Sequence, residues 1–261
     1  MPCIFCGSQE HLNTVEHIVP ESLGNTTFML SKGDICDICN GKFSEFEGKA
    51  LGKSILGFER ARLGHKTKKG KPGKGKTGNI QFSGNEKFKK NLVVAEGLQN
   101  EDFKNYDPVK DTYQVRVEGF DKSEVATSKM LLKMGFEALH KSNRKLSKKY
   151  NFDELKAFLD GKSNKDWPFT TPRKDLFKFT SIPRMGDKHA LNKIPCRLLI
   201  SEVDKDNLIF RFEYGGKGVA FEINLLNRNL GWIKPHAEQG NIFCVYPRHF
   251  DKHFGLPKVI E

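Results

Sequence analysis

The sequence has no apolar run approaching the roughly 18–20 residues that a membrane span needs. Met1–Glu10 has no basic stretch followed by an apolar one, so no secretory leader is read there. No membrane partner is expected, and the expected location is cytoplasmic. Cysteine is scarce beyond the first 39 residues: four of the six fall within them. Without a secretion signal, these do not suggest a disulfide framework. Cys196 and Cys244 stand in apolar, strand-like runs and are expected as reduced core residues. There is no internal repeat. Acidic residues are missing from 64–78, GHKTKKGKPGKGKTG, which holds six Lys, five Gly and one Pro. Like charges repel and glycine adds no stiffness, so this stretch is expected as a basic loop or linker.

The chain as a whole carries 44 Lys+Arg against 32 Asp+Glu, a net charge of +12. That balance favours a polyanionic partner. The charge is unevenly spread: residues 1–60 hold five basic and eight acidic side chains. The positive charge therefore lies in the later residues.

Strand-like runs are expected at 79–82, 91–95 and 112–117, the last with the period-two alternation T-Y-Q-V-R-V. A long helix is expected over 121–149, capped by Asp121 or Ser123, with Val125, Leu132, Phe136 and Leu139 at helical spacing. Met130 and Met134 read as core. A shorter helix at about 152–160 closes at Gly161. Residues 162–193 read as loop. Three strands at 196–201, 207–214 and 219–224 make a meander, with Gly215-Gly216 as the last turn. His249 and His253 have i,i+4 spacing, but no acid follows in a matching frame and the segment is aromatic and basic, so neither is assigned a catalytic role. His11 is expected at the surface.

Cys3/Cys6 and Cys36/Cys39 form two C-x2-C pairs separated by 29 residues. Each pair lets two thiolates approach one ion from a tight turn, and two pairs make a tetrahedral four-thiolate zinc site. An iron–sulfur cluster or a redox pair would be the rivals. A redox pair needs a βαβ context, which is missing. Between the pairs stands N-T-V-E-H-I-V-P-E-S-L-G-N, in which Val15, Ile18 and Val19 frame Glu16-His17 and Pro20 ends the strand. After the second pair the chain reads C-N-G-K-F, and a helix is expected from near Cys36.

This order of motifs resembles the HNH endonuclease superfamily in its four-cysteine zinc version, over about residues 1–55. Phage junction-resolving endonucleases and many bacterial restriction-type nucleases are similar. The resemblance implies a ββα-metal module in which two strands and a helix hold one divalent ion over the scissile phosphate. On this sequence it implies Glu16 and Asn40 as ligands of a catalytic Mg²⁺ or Mn²⁺, His17 as the general base, and Cys3, Cys6, Cys36 and Cys39 on a structural zinc. The acid is Glu where Asp is commoner, and the middle Asn falls to Asn25. Glu47, seven residues after Asn40, lies on the same helical face and reads as a solvated surface charge or an outer carboxylate. The chemistry agrees: imidazole can accept a proton near neutral pH, and Mg²⁺ prefers oxygen ligands.

The expectation is therefore an α+β protein: an HNH module at 1–60, a basic loop or linker at 61–78, and a mixed α/β C-terminal region at 79–261 for DNA binding, specificity or dimerisation. It implies an HNH endonuclease hydrolysing DNA phosphodiester bonds, possible as a homodimer, in restriction or anti-phage defence. Lys66, Lys68, Lys69, Lys71, Lys74 and Lys76 would contact phosphate, as would the basic end of the 121–149 helix. The other reading is a non-catalytic, zinc-dependent nucleic-acid-binding protein, with Glu16 and His17 structural.

Overall fold

Cys36 decides where the first helix begins. Its extended backbone and its Sγ, which accepts the Cys39 N–H at 3.5 Å, cap α1 (Asp37–Gly52). Asp37 in the first turn accepts from the Asn13 and Thr14 backbone N–H groups at 3.3 and 3.2 Å, pinning the helix start to the preceding loop. Ser54 then caps α2 (Ile55–Arg62), its Oγ accepting from Leu56. The computed structural model describes residues 2–67, 69–115, 120, 122–163, 165–182, 196–216 and 218–255, with Phe243 by its backbone alone.

Past α2, β1 (Lys74–Thr77), β2 (Ile80–Gly84) and β3 (Val93–Glu96) form an antiparallel sheet in that order. The basic stretch is thus not loop throughout, since its last part pairs with β2, Lys76 opposite Gln81. Gly57 of α2 and Gly75 of β1 make this possible. A Cβ on Gly75 would lie 2.7 Å from the Gly57 Cα, so two bare backbones let helix and strand touch. A separate hairpin, β4 (Phe103–Asp107) and β5 (Thr112–Val115), follows. Residues 116–117, expected to extend β5, lie outside the described residues.

The expected long helix is two. α3 (Glu124–Ser142) ends at Asn143, whose backbone leaves the helical region and whose Oδ1 accepts from Leu146 to start α4 (Arg144–Lys149). Ser123 precedes α3 without a side-chain cap, its hydroxyl donating instead to the Lys53 carbonyl. Asp121 lies outside the described residues. Val125 sits on the open side, 40% exposed, while Met130, Met134 and Leu139 are buried. α5 (Asp153–Leu159) matches its expectation and ends before Gly161, at φ +80°.

The second sheet is antiparallel, ordered β11-β6-β10-β9-β8-β7. Its strands are β6 (Phe169–Pro172), β7 (Thr180–Ser181), β8 (Cys196–Glu202), β9 (Leu208–Tyr214), β10 (Val219–Asn224) and β11 (Ile242–Tyr246), with a short α6 (Lys234–Glu238) before the last. β6 and β7 fall in the expected loop 162–193. β9 is buried on both faces: Phe210, Phe212 and Tyr214 join the core beneath α3, and Ile209 joins Trp232, Ile233 and Val245 on the other side. α3 passes so close that a Cβ on Gly135 would meet the Phe210 ring at 2.9 Å. One apolar core runs from Cys3, Ile18 and Phe43 through α3 to β8–β10, so the N-terminal segment and the larger sheet share α3 as a common wall. No helix among the described residues is long and apolar enough to cross a membrane.

Candidate active site and metal centre

Four thiols meet at the N-terminus. The Sγ atoms of Cys3, Cys6, Cys36 and Cys39 all lie within 4.8 Å of one another, Cys6 and Cys36 at 3.6 Å. A tight turn closed by Gly7 N–H on the Cys3 carbonyl presents the first pair, and Ile4 N–H on the Asp34 carbonyl ties it to the second. A tetrahedral ion with about 2.3 Å bonds needs sulfurs about 3.8 Å apart, which this spacing fits. Hydrogen bonding with Cys39 holds the Cys3 thiol down to about 4 against its burial, and the same bond pushes Cys39 up. A zinc ion would take the place of the protons these thiols share.

The Glu16-His17 segment lies between the knuckles. His17 forms an antiparallel bridge with Met29, flanked by Ile18 N–H on the Phe28 carbonyl and Leu30 N–H on that of Glu16. Asn25, fully buried, braces the return: its Nδ2 donates to the Val19 and Phe28 carbonyls, and its Oδ1 accepts from Thr27 and Phe28. Across the bridge the side chains alternate. Glu16 is buried and His17 half-buried. Asn40, in the second turn of α1, is half-buried as well.

Glu16 points at a residue outside the motif. Lys133 of α3, with no solvent exposure, donates to Glu16 Oε1 at 2.5 Å and to the His17 carbonyl at 3.0 Å. Glu47 Oε1 flanks the same ammonium at 2.9 Å and Glu137 Oε2 at 3.2 Å. Glu47 is therefore not a solvated charge: α1 turns it inward to Lys133, and its side chain is 16% exposed. Burial pulls the ammonium down, but Glu137, Glu47 and Glu16 outweigh it and keep it charged. Burial drives the Glu137 carboxyl well above its ordinary range, against the pull of Lys133. Lys133 and Glu137 carry a signal that patterning by hydrophobicity passes over. They are charged residues one turn apart on the apolar face of K-M-L-L-K-M-G-F-E-A-L.

Three carboxyl groups converge on one ammonium, and hard oxygen donors of this kind suit a divalent cation. Among the described residues, the thiols are the only group of three or more Cys, His or acidic side chains placed to hold an ion by themselves. An ion on Glu16 and Asn40 would thus take its remaining ligands from water and phosphate.

Elsewhere, His249 and His253 lie in a 3-10 turn, Arg248–Phe254, and not an α-helix. His249 packs at a tilt on Phe250, ring centroids 4.2 Å apart, and faces Asp166 at 3.6 Å. Cys196 is buried, its thiol pushed up to about 12 by burial; Cys244 is half-buried against Arg248. Lys66, Lys69, Lys71, Lys74 and Lys76 are all exposed, whereas Lys68 lies outside the described residues. Lys66 also caps the Phe88 ring at 4.6 Å. In α4, Lys149 is paired with Glu202.

A family model described as HNH endonuclease matches residues 3–56, the span holding all four thiols, Glu16, His17, Asn25, Asn40 and Glu47. The chain therefore carries an HNH endonuclease segment at its N-terminus, which supports a nuclease-type function. No curated protein and no solved structure matches the chain.

Proposed function

We propose that this protein is a metal-dependent HNH endonuclease that hydrolyses DNA phosphodiester bonds. The observation carrying this reading is the thiol cluster inside the matched segment. One zinc would tie the loop before Glu16-His17 to the helix bearing Asn40, holding together segments that are far apart in sequence. His17 takes a proton from the attacking water. Glu16 and Asn40 hold Mg²⁺ or Mn²⁺, and the ion when bound offsets charge on the phosphate and the leaving oxygen. Asn25 keeps the hairpin rigid beneath His17. Lys66, Lys69, Lys71, Lys74 and Lys76 supply sequence-independent grip on the backbone, with Lys68 in the same run. A single module cuts one strand, so double-strand cleavage calls for a homodimer. The setting we assign is restriction or anti-phage defence, in the cytoplasm.

One observation favours a second reading. Glu16 already has a buried partner in Lys133, as it would in a non-catalytic zinc protein that binds nucleic acid. Supercoiled plasmid incubated with Mg²⁺ or Mn²⁺ separates the two. Nicking by the wild type that falls at least 100-fold in His17→Ala, with zinc content retained, is the expected outcome. Equal nicking by both proteins, or none by the wild type, rejects the enzyme.

A further inference from the structure

Lys133 lies far outside the segment that matches the nuclease family, yet it makes the closest polar contact to that segment's acid. We propose that Lys133 is a positioning residue of the nuclease site: its ammonium fills the inner slot among Glu16, Glu47 and Glu137, so that Glu16 offers its other oxygen, Oε2, to the catalytic divalent ion. This rests on the metal-dependent reading above.

The geometry supports it in three ways. The ammonium is fully buried and sits between two helices and the hairpin: Glu16 at 2.5 Å, Glu47 of α1 at 2.9 Å and Glu137 of its own helix at 3.2 Å. Three carboxyl oxygens stand 2.5–3.2 Å from one point, and the Lys133 ammonium is the cation that occupies it. Next, Lys133 also binds the His17 carbonyl at 3.0 Å, so a single group fixes the acid's side chain and the neighbouring backbone that carries the base. Finally, Glu137 is fully buried, its Oε1 has no hydrogen-bond partner, and the cation facing its Oε2 is the Lys133 ammonium at 3.2 Å. Such a group has no structural gain from being a carboxyl unless a cation faces it.

The ammonium has a functional consequence that an apolar residue could not supply. With the inner slot filled, a divalent ion is repelled from the acid cluster and kept to the Oε2 side of Glu16. Without Lys133 the slot loses its resident cation, and a divalent ion would be drawn inward, displacing the Glu137 proton, and away from the phosphate. Because Lys133 belongs to α3, the wall shared with the larger sheet, residues 79–261 complete the nuclease site as well as supporting it.

The test uses the full-length, zinc-loaded protein and measures Mn²⁺ binding without DNA by electron paramagnetic resonance, alongside plasmid nicking. Lys133→Met is expected to bind Mn²⁺ at least as tightly as the wild type while nicking falls at least 100-fold. Glu137→Gln is then introduced in both backgrounds. Its effect on Mn²⁺ affinity is expected to be at least tenfold larger beside Lys133→Met, where the ion sits in the inner slot. An equal effect in both backgrounds, or undiminished nicking by Lys133→Met, overturns the proposal. Should Lys133→Met fold poorly, Mn²⁺ is expected to raise its melting temperature more than that of the wild type by replacing the lost cation. No greater rise also overturns it. A wild type that neither binds Mn²⁺ nor nicks DNA rejects the metal-dependent reading itself, which is a different result from wild-type activity with no Lys133 coupling.

Discussion

Asn25 carries the hairpin on a single amide. Its four hydrogen bonds, at 2.5–2.9 Å, close the turn between Val19 and Phe28, and the Val19 and Phe28 groups it serves are buried with it. Asn25→Ala would leave the buried Val19 carbonyl and Phe28 N–H without these partners, at about 2–4 kcal/mol, measurable by urea denaturation of the zinc-loaded protein. Glu222, within the larger sheet, gives a pH-dependent case. Burial lifts its carboxyl to about 7 from an ordinary 4.5, despite Arg211 at 3.1 Å. Below pH 4.5 both the folded and the unfolded chain hold this proton, and the folded state's preference for it contributes in full. Between 4.5 and about 7 only the folded state holds it, so stability falls as pH rises and levels off above about 7. The span amounts to about 3 kcal/mol at most. Glu222→Gln removes this slope, as urea titrations at pH 4.5 and 7.5 would show; an undiminished slope assigns it to other groups.

Among the elements, α2 and β1 depend on the meeting of Gly57 and Gly75. The helix follows α1 directly, so this contact ties the basic strand to the nuclease segment. Gly75→Val would force them apart, at about 1–3 kcal/mol, read as a lower melting temperature with zinc retained. This contact was invisible in sequence, because a Gly/Lys run carries no apolar period. It reads as a flexible linker until a partner backbone is known. Elements whose burial is expressed in their own pattern were legible: the meander, the α5 helix with its Gly161 stop, the α1 start at Cys36. The split at Asn143 was not, since the apolar period continues past it while the asparagine changes sides from helix interior to cap. β6 and β7 are too short to show alternation and owe their existence to strands later in the sequence, β6 slotting between β10 and β11 and β7 lining the edge along β8. At the site, local spacing announced the thiol cluster, and the resemblance to the HNH family supplied Glu16, His17 and Asn40 as the residues proposed to act. Lys133 and Glu137 stayed hidden, because what gives Lys133 meaning is contact across 116 or more residues with the hairpin, and Glu137 takes its own from pairing with Lys133.

Over the whole molecule, charge and chemistry are separated. The first sixty residues are net acidic in a chain of net charge +12, so an incoming polyanion is attracted to surfaces other than the one that would cut it. The exposed Lys74 and Lys76 share one face of β1, two residues apart, on a strand anchored to α2. Lysines on a flexible linker would lose entropy on each contact, whereas these two are held in place before DNA arrives. Replacing both with Gln should weaken DNA binding uniformly across sequences and reduce the slope of log affinity against log salt by about 2. Filter binding or fluorescence anisotropy at about 50–200 mM salt, with Mg²⁺ omitted to prevent cleavage, measures it. In nicking assays the loss should fall mainly on KM, because both side chains are exposed on β1 and stand outside the Glu16–His17 hairpin in the chain. An unchanged salt slope would remove β1 from the DNA path and shift the grip to the lysines of α4 or to Lys87, Lys89 and Lys90, which are also exposed.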